Sequence, residues 1–273
     1  MKVLEITSAQ NPKLKEVVAL LEKSKERRSQ GLFVVEGLRE VEACVRNGYA
    51  VKSVFFNSQI AAAEDIGKMF PEGADTTLFS LSAAAYSKIA YRESTEGVVA
   101  VVEQKKLQLK DIKFGRQWNS PLVLVVESVE KPGNLGALLR TADACGIDAV
   151  LVCDPLTDLY NPNLIRSSLG GIFTNQVVAC SNEEALEWLR ANKINIFTAQ
   201  LQDSEWYYDT DMVSPTAIVM GTESTGLTDF WRKASNAKIK IPMLGELDSL
   251  NVSVSAAVLS FSRSRAGRTT SVR

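Results

Sequence analysis

The sequence predicts an α/β protein of two domains, and three observations carry that reading. Short β-branched runs that read as buried strands alternate with stretches whose apolar residues recur at helical spacing. Near the C-terminus, two of those runs stop at glycine or proline and open loops of small and polar residues, the pattern of a sheet whose strand ends border a ligand pocket. Between 104 and 121 no period holds, and Gly115 and Pro121 punctuate a polar segment. An interdomain linker is therefore expected over 105–120, with a small α/β domain over 1–104 and a second domain over 121–273. A chain of 273 residues suits one large or two modest domains, and 45% hydrophobic residues suffice for a packed core.

Asn11-Pro12 ahead of Leu14, Val17, Val18 and Leu21 starts a helix. Its other face is basic, and Lys13, Lys15, Lys23, Lys25, Arg27 and Arg28 crowd this segment. A solvated helix surface and a phosphate-facing helix are both open readings. A strand ending at Gly37 and a helix over 38–45 follow. Further strands are expected over 51–56, 77–79 and 98–102, with helices around 60–69 and 82–89.

The second domain opens with a buried strand over 122–126, a glycine-containing turn over 127–136 and an amphipathic helix over 137–145 that carries Arg140. A strand over 149–153, a helix starting near Asn161-Pro162 with Arg166, a helix over 183–191 and a strand over 194–199 come next. Asp203, Glu205, Asp209 and Asp211 make an acidic loop. The chain then runs through 218–227, 239–243 and 249–254, two strand ends and a loop that feeds an apolar helix over 252–261, with Ser249 placed to cap it. The alternation implies a mostly parallel sheet covered on both faces.

Composition removes several chemistries. The chain holds no histidine, which excludes Ser-His-Asp and Cys-His catalysis and removes the commonest metal ligand and neutral-pH base. No metal is expected. A formal net charge of −1 argues against a uniformly basic nucleic-acid binder, yet separate basic patches survive a neutral average, and Arg263, Arg265, Arg268 and Arg273 end the chain with no acid among them. Cys44, Cys145, Cys153 and Cys180 sit singly in apolar segments without metal-site or redox spacing, as small core residues do. No apolar run reaches membrane-spanning length and the first residues lack a signal-peptide pattern, so a cytoplasmic protein without membrane contact is expected.

The motifs narrow the reading. Asn134 and, six positions on, Arg140 in Gly-Asn-Leu-Gly-Ala-Leu-Leu-Arg-Thr-Ala resemble the first motif of the SpoU (TrmH) family of RNA ribose 2'-O-methyltransferases, within the SPOUT superfamily. Arg166-Ser167-Ser168-Leu169-Gly170 is similar to the second motif, and the three C-terminal loops are similar to the third. The first domain more loosely resembles the substrate-binding domain that precedes the catalytic one in many members. Lys131 stands before Pro132 where many members carry aspartate.

The resemblance implies a parallel sheet whose C-terminal segment threads a deep trefoil knot, S-adenosylmethionine held bent in that knot, an RNA substrate (rRNA or tRNA), and a homodimer whose active site borrows residues across the interface. By position, Gly221, Ile241 and Leu250 match the family's cofactor contacts, and Asn134, Arg140, Glu223, Ser249 and Asn251 match its catalytic residues. Methyl transfer from a sulfonium to a hydroxyl needs in-line placement and removal of one proton, with no metal. The family assigns that proton to the first-motif arginine, whereas arginine side chains stay protonated up to about pH 12 in ordinary surroundings. Two roles for Arg140 stay open: proton acceptor, or cation fixing the adjacent phosphate while another group or water takes the proton. Competing readings are an RNA-binding protein of this fold without catalysis, and a methyltransferase acting on a tRNA base.

Overall fold

The computed structural model describes residues 1–90, 96–115, 120–222 and 224–266, with side chains to 262. The chain forms two compact units, Met1–Lys105 with Asp158–Thr174, and Lys106–Thr157 with the chain from Asn175 onward.

In the first unit, β1 (Val3–Ile6), α1 (Pro12–Glu22), α2 (Ser24–Gln30), β2 (Leu32–Glu36), α3 (Leu38–Arg46), β3 (Val51–Asn57), α4 (Ala63–Gly67), β4 (Thr77–Leu81), α5 (Ala83–Tyr86) and β5 (Val98–Glu103) follow in order. The sheet runs β1-β4-β3-β5-β2, with β5 antiparallel to both its neighbours. Strand β1 was not expected because only Ile6 of it is buried, which leaves no alternation to read. Asn11 caps α1 by accepting from the Lys13 amide at 2.9 Å, and Pro12 occupies the first turn, as the sequence signals. Lys23 is extended and separates α1 from α2.

One member of the basic cluster has a different role. Arg27 is 2% exposed; its guanidinium donates to Asp158 Oδ2 at 2.7 Å and to the carbonyls of Leu20 (2.6 Å) and Leu21 (3.1 Å). It is a buried structural ion pair whose Nε and Nη1 are taken up by Asp158 and two carbonyls, so it is not a surface cation for a phosphate.

In the second unit the chain continues through β6 (Leu122–Glu127), α6 (Pro132–Cys145) and β7 (Ala149–Cys153). It then crosses α7 (Pro162–Ser168) and α8 (Gly171–Thr174), which belong to the first unit. Strand β8 (Val177–Cys180), α9 (Asn182–Ala191), β9 (Asn195–Ala199), β10 (Glu205–Trp206), β11 (Thr216–Met220), α10 (Asp229–Ala234), β12 (Ala237–Lys240) and α11 (Val252–Ala266) complete it. All seven strands are parallel, in the order β10-β12-β9-β11-β6-β7-β8. Every residue of β6, β7 and β11 is buried, which is why these strands read as continuous apolar runs rather than alternating ones.

Helix α6 begins five residues earlier than expected. Pro132, Gly133 and Asn134 look like turn formers, but proline is well placed at a first helical position because its missing N–H has no helical partner there. Leu107, Leu109 and Ile112, in the stretch read as linker, pack against the core of the second unit. Residues 158–174, counted with the second domain by sequence, pack in the first unit through Tyr160 and Phe173, whose rings lie 4.3 and 6.1 Å from that of Phe33.

The four cysteines are free thiols, but two are not isolated. Cys153 and Cys180 face each other in the β7–β8 register, and their hydrogen bond together with burial pushes the Cys153 thiol far up. Burial alone pushes Cys145 up to about 12, so both stay protonated and unreactive at neutral pH.

Candidate active site

At the carboxyl ends of β9, β11 and β12 lies a cavity of about 530 Å³, within the roughly 300–1,000 Å³ typical of small-molecule sites. Four segments wall it: 199–202 after β9, 220–222 with 225–227 after β11, 239–241 with Met243 at β12, and 248–252 leading into α11. Its deep side is apolar, with Met220, Leu227 and Ile239 buried. A smaller cavity of about 80 Å³ adjoins it and shares Gly221, Thr222 and Val252.

The loop after β11 folds tightly on itself. Thr222 and Gly226 exchange backbone hydrogen bonds of 3.2 and 3.1 Å, and Gly226 has a φ of +68°. A Cβ at Gly221 would overlap the Gly226 carbonyl and the Leu227 amide. This glycine is required by the loop's own backbone. The next turn is held from below by Glu127, 1% exposed at the end of β6, which accepts from the Thr228 amide at 2.9 Å, Thr228 Oγ1 at 2.6 Å and Asn182 Nδ2 at 3.1 Å. Asn182 in turn accepts from Trp231 Nε1 at 2.6 Å.

The structure gathers most of the expected residues. Gly221, Ile241, Leu250, Ser249 and Asn251 line the larger cavity, and Asn134 lines the smaller one. Asn251 Nδ2 donates to Asn134 Oδ1 at 3.4 Å, linking the first-motif and third-motif segments. One expectation is corrected. Ser249 does not cap α11: its hydroxyl donates to Asp248 Oδ1 at 3.1 Å, and Asn251 is the cap, with Oδ1 accepting from the Ser253 amide at 3.0 Å and Ser253 Oγ at 2.6 Å. Asn134 lies inside the first turn of α6, not at its cap, which is Lys131. Arg140 is exposed on α6 and lines neither cavity, Arg166 sits in the first unit, and Glu223 lies outside the described residues.

A family model for the SpoU rRNA methylase family matches residues 121–261. The chain belongs to the SpoU rRNA methylase family. A second model, the MRM3-like substrate binding domain, matches residues 11–100. This SpoU protein is 28% identical over 255 residues to the 23S rRNA (guanosine(2553)-2'-O)-methyltransferase RlmP of Bacillus subtilis (strain 168), covering 93% of this chain and 97% of the relative. It is 28% identical to the 23S rRNA (uridine(2479)-2'-O)-methyltransferase of Streptomyces viridochromogenes, covering 96% and 93%. Among solved structures, an AdoMet-bound rRNA methyltransferase from Sinorhizobium meliloti superposes with a TM-score of 0.86 at 26% identity, covering 97% and 98% of the two chains. An RNA 2'-O ribose methyltransferase matches with a TM-score of 0.79 at 35% identity, covering 96% and 98%.

Several residues of the SpoU site were missed by sequence. Glu127 carries a readable signal, a lone carboxylate closing an otherwise apolar strand. Gln200 and Arg232 also line the cavity, and Gln200 Oε1 and Arg232 Nε are buried without a hydrogen-bond partner among the described residues. Neither gave a signal, since a polar residue just after a strand and an arginine in a helix are both commonplace. Because Glu127 holds the turn that follows the cavity loop, Glu127→Ala is expected to cost about 3 kcal/mol by leaving buried donors unpaired. Urea unfolding of the two proteins measures it.

Proposed function

We propose that this chain transfers a methyl group from S-adenosylmethionine, seated in the larger cavity, to a ribose 2'-hydroxyl of ribosomal RNA. The observation that carries the reading is the convergence of Gly221, Ile241, Leu250, Ser249 and Asn251 on one cavity, with Asn134 beside it. The cavity fits the cofactor: buried apolar side chains of Met220, Leu227 and Ile239 line it, and its loop backbone closes around Gly221, where a Cβ would intrude. Bound there, the cofactor supplies an electrophilic methyl on a sulfonium.

The chain's own residues have the remaining tasks. With the cofactor bound, methyl transfer would form the O–C bond at the expense of the S–C bond, so the hydroxyl proton would need an acceptor. Asn134 and Asn251, bonded to each other, are placed to orient the ribose, and Asn251 fixes the start of α11 while doing so. Arg140 acts from α6, either accepting the proton or holding the neighbouring phosphate as a cation while water accepts it. Glu223 is assigned to the same site by its motif position.

The C-terminal segment is read as a deep trefoil knot. Supporting this, the chain leaves β12, far from β6 in the sheet, passes through 241–251 along the cavity, and packs α11 on α6. A homodimer is proposed as well; Leu244, Leu247, Val254 and Phe261 of the second unit are exposed apolar residues available to a partner copy. The first domain is assigned to RNA delivery and the protein to the cytoplasm. Mapping 2'-O-methyl sites in total RNA with and without the gene tests the function. One ribosomal position that loses its mark is expected, and an unchanged ribosomal map would overturn the proposal.

A further inference from the structure

Trp206, Tyr207 and Tyr208 form a cluster of rings that the core does not absorb. The Trp206 and Tyr208 rings lie 5.5 Å apart and those of Tyr207 and Tyr208 5.2 Å apart, yet Trp206 is 48% and Tyr208 53% exposed. Tryptophan is on average a highly buried residue, and Trp231 of the same unit is fully so. The exposed rings are also held in place. Ahead of them, Gln200 Nε2 donates to the Gln202 carbonyl and Ser204 Oγ to the Leu201 carbonyl, each at 2.8 Å. Behind them, Met212 is buried, and Thr216 Oγ1 donates to the carbonyls of Met212 and Ser214 at 2.9 and 2.7 Å.

Their position follows from the sheet. Strand β10 is parallel to β12, so its last residue and the turn after it lie at the carboxyl end of the sheet, where the larger cavity lies. Glu205 and Trp206 pair with Ile239 and Lys240, both of which line that cavity, as do Leu201 and Gln202 just upstream. We propose that Trp206 and Tyr208 are a stacking platform for an unpaired nucleobase of the substrate RNA at the rim of the larger cavity. The proposal rests on the methyl-transfer reading above and deepens it by naming a place where the RNA is held. Every base has a flat π-face, and an aromatic side chain meets it without a charge partner. Charge favours a base over a phosphate here. Asp203, Glu205, Asp209 and Asp211 flank the rings in a run, 201–214, that holds no lysine or arginine. Carboxylates repel phosphate, so the RNA presents a base to this corner and carries its backbone elsewhere.

The test uses the full chain and ribosomal RNA from cells that lack its gene. Trp206→Ala is expected to lower kcat/KM for RNA methylation by at least about tenfold, the scale of one lost base stack, with affinity for S-adenosylhomocysteine held within about twofold. Trp206→Phe keeps a ring and should stay within about threefold of the parent. The alanine variant should bind RNA more weakly at every salt concentration while keeping the parent's slope of log affinity on log salt, because no phosphate contact has gone. Far-UV circular dichroism verifies folding, and Tyr208→Ala replaces Trp206→Ala if that variant does not fold. Methylation of naked ribosomal RNA at the parent's efficiency by the alanine variant overturns the proposal and leaves the rings to a basic protein segment. A loss that phenylalanine does not restore, a shallower salt slope, or a changed oligomeric state by gel filtration overturns it too. A parent that methylates no ribosomal RNA overturns the methyl-transfer reading instead, and the RNA affinities of the variants still judge the platform.

Discussion

Replacing Arg140 by alanine is expected to lower the single-turnover rate of RNA methylation by at least about a hundredfold, the scale of losing one positioned acid-base or electrostatic group. Affinity for S-adenosylmethionine should hold, because Arg140 is exposed on α6 and lines neither cavity. Stability should also hold, since alanine is the better helix former at an exposed helical position. This separation makes the experiment decisive for chemistry. Arg140→Lys keeps a charge but loses the planar fork, so substantial rescue favours charge placement, and weak rescue favours the fork's geometry or proton transfer. A pH profile of the single-turnover rate, with RNA binding checked at each pH, then divides those two. Methylation at the parent rate by the alanine variant, with cofactor saturating, would remove the first motif from catalysis.

Gly221→Val should abolish measurable S-adenosylmethionine binding and also destabilise the second unit. The first expectation follows from the position of Gly221 on both cavities. The second follows from what a Cβ would meet there, the Gly226 carbonyl carbon and oxygen and the Leu227 amide nitrogen. These are backbone atoms of a loop closed by the Thr222–Gly226 pair, so no side chain can swing aside. Overpacking of that kind costs about 1–3 kcal/mol, and opening the loop removes the cavity wall. Calorimetry and thermal unfolding read the two effects. A variant that keeps the parent's affinity would take this loop out of the cofactor site. One that loses binding with an unchanged unfolding midpoint would mean the glycine serves the ligand and not the loop.

The expectations that held share a physical basis. Strands β6, β7 and β11 were readable because a parallel strand buried on both faces is an uninterrupted apolar run, a property of the strand itself. Asn11-Pro12 and Asn161-Pro162 were readable as helix starts for the same reason: a cap bonds an amide two residues away, and proline sets its own φ. The misses are of two kinds. Some elements carry no pattern, such as β1 with one buried residue and α2 with an arginine as its buried residue. Others carry two compatible patterns. Ser249 and Asn251 are both good caps ahead of the same helix, and which one serves depends on where the backbone turns into α11.

By itself the sequence determined the α/β class, the parallel second domain, the absence of histidine chemistry and the motif residues, of which Gly221, Ile241, Ser249, Leu250 and Asn251 border one cavity. These rest on local period, composition and spacing, which the chain carries wherever it folds. Only the tertiary structure decided which polar residues face that cavity and which are structural. Arg27 looks like its neighbours Lys25 and Arg28 until Asp158, 131 residues away, is placed against it. Glu127 became the anchor of the loop after β11 because β6 and β11 are adjacent strands and Thr228 comes over its end. The unpartnered acceptor of Gln200 exists only because its own amide is tied to Gln202 inside a wall assembled from four separated segments. Partners far apart in the chain are chosen by the packing of the whole core, and no short stretch of sequence records that choice.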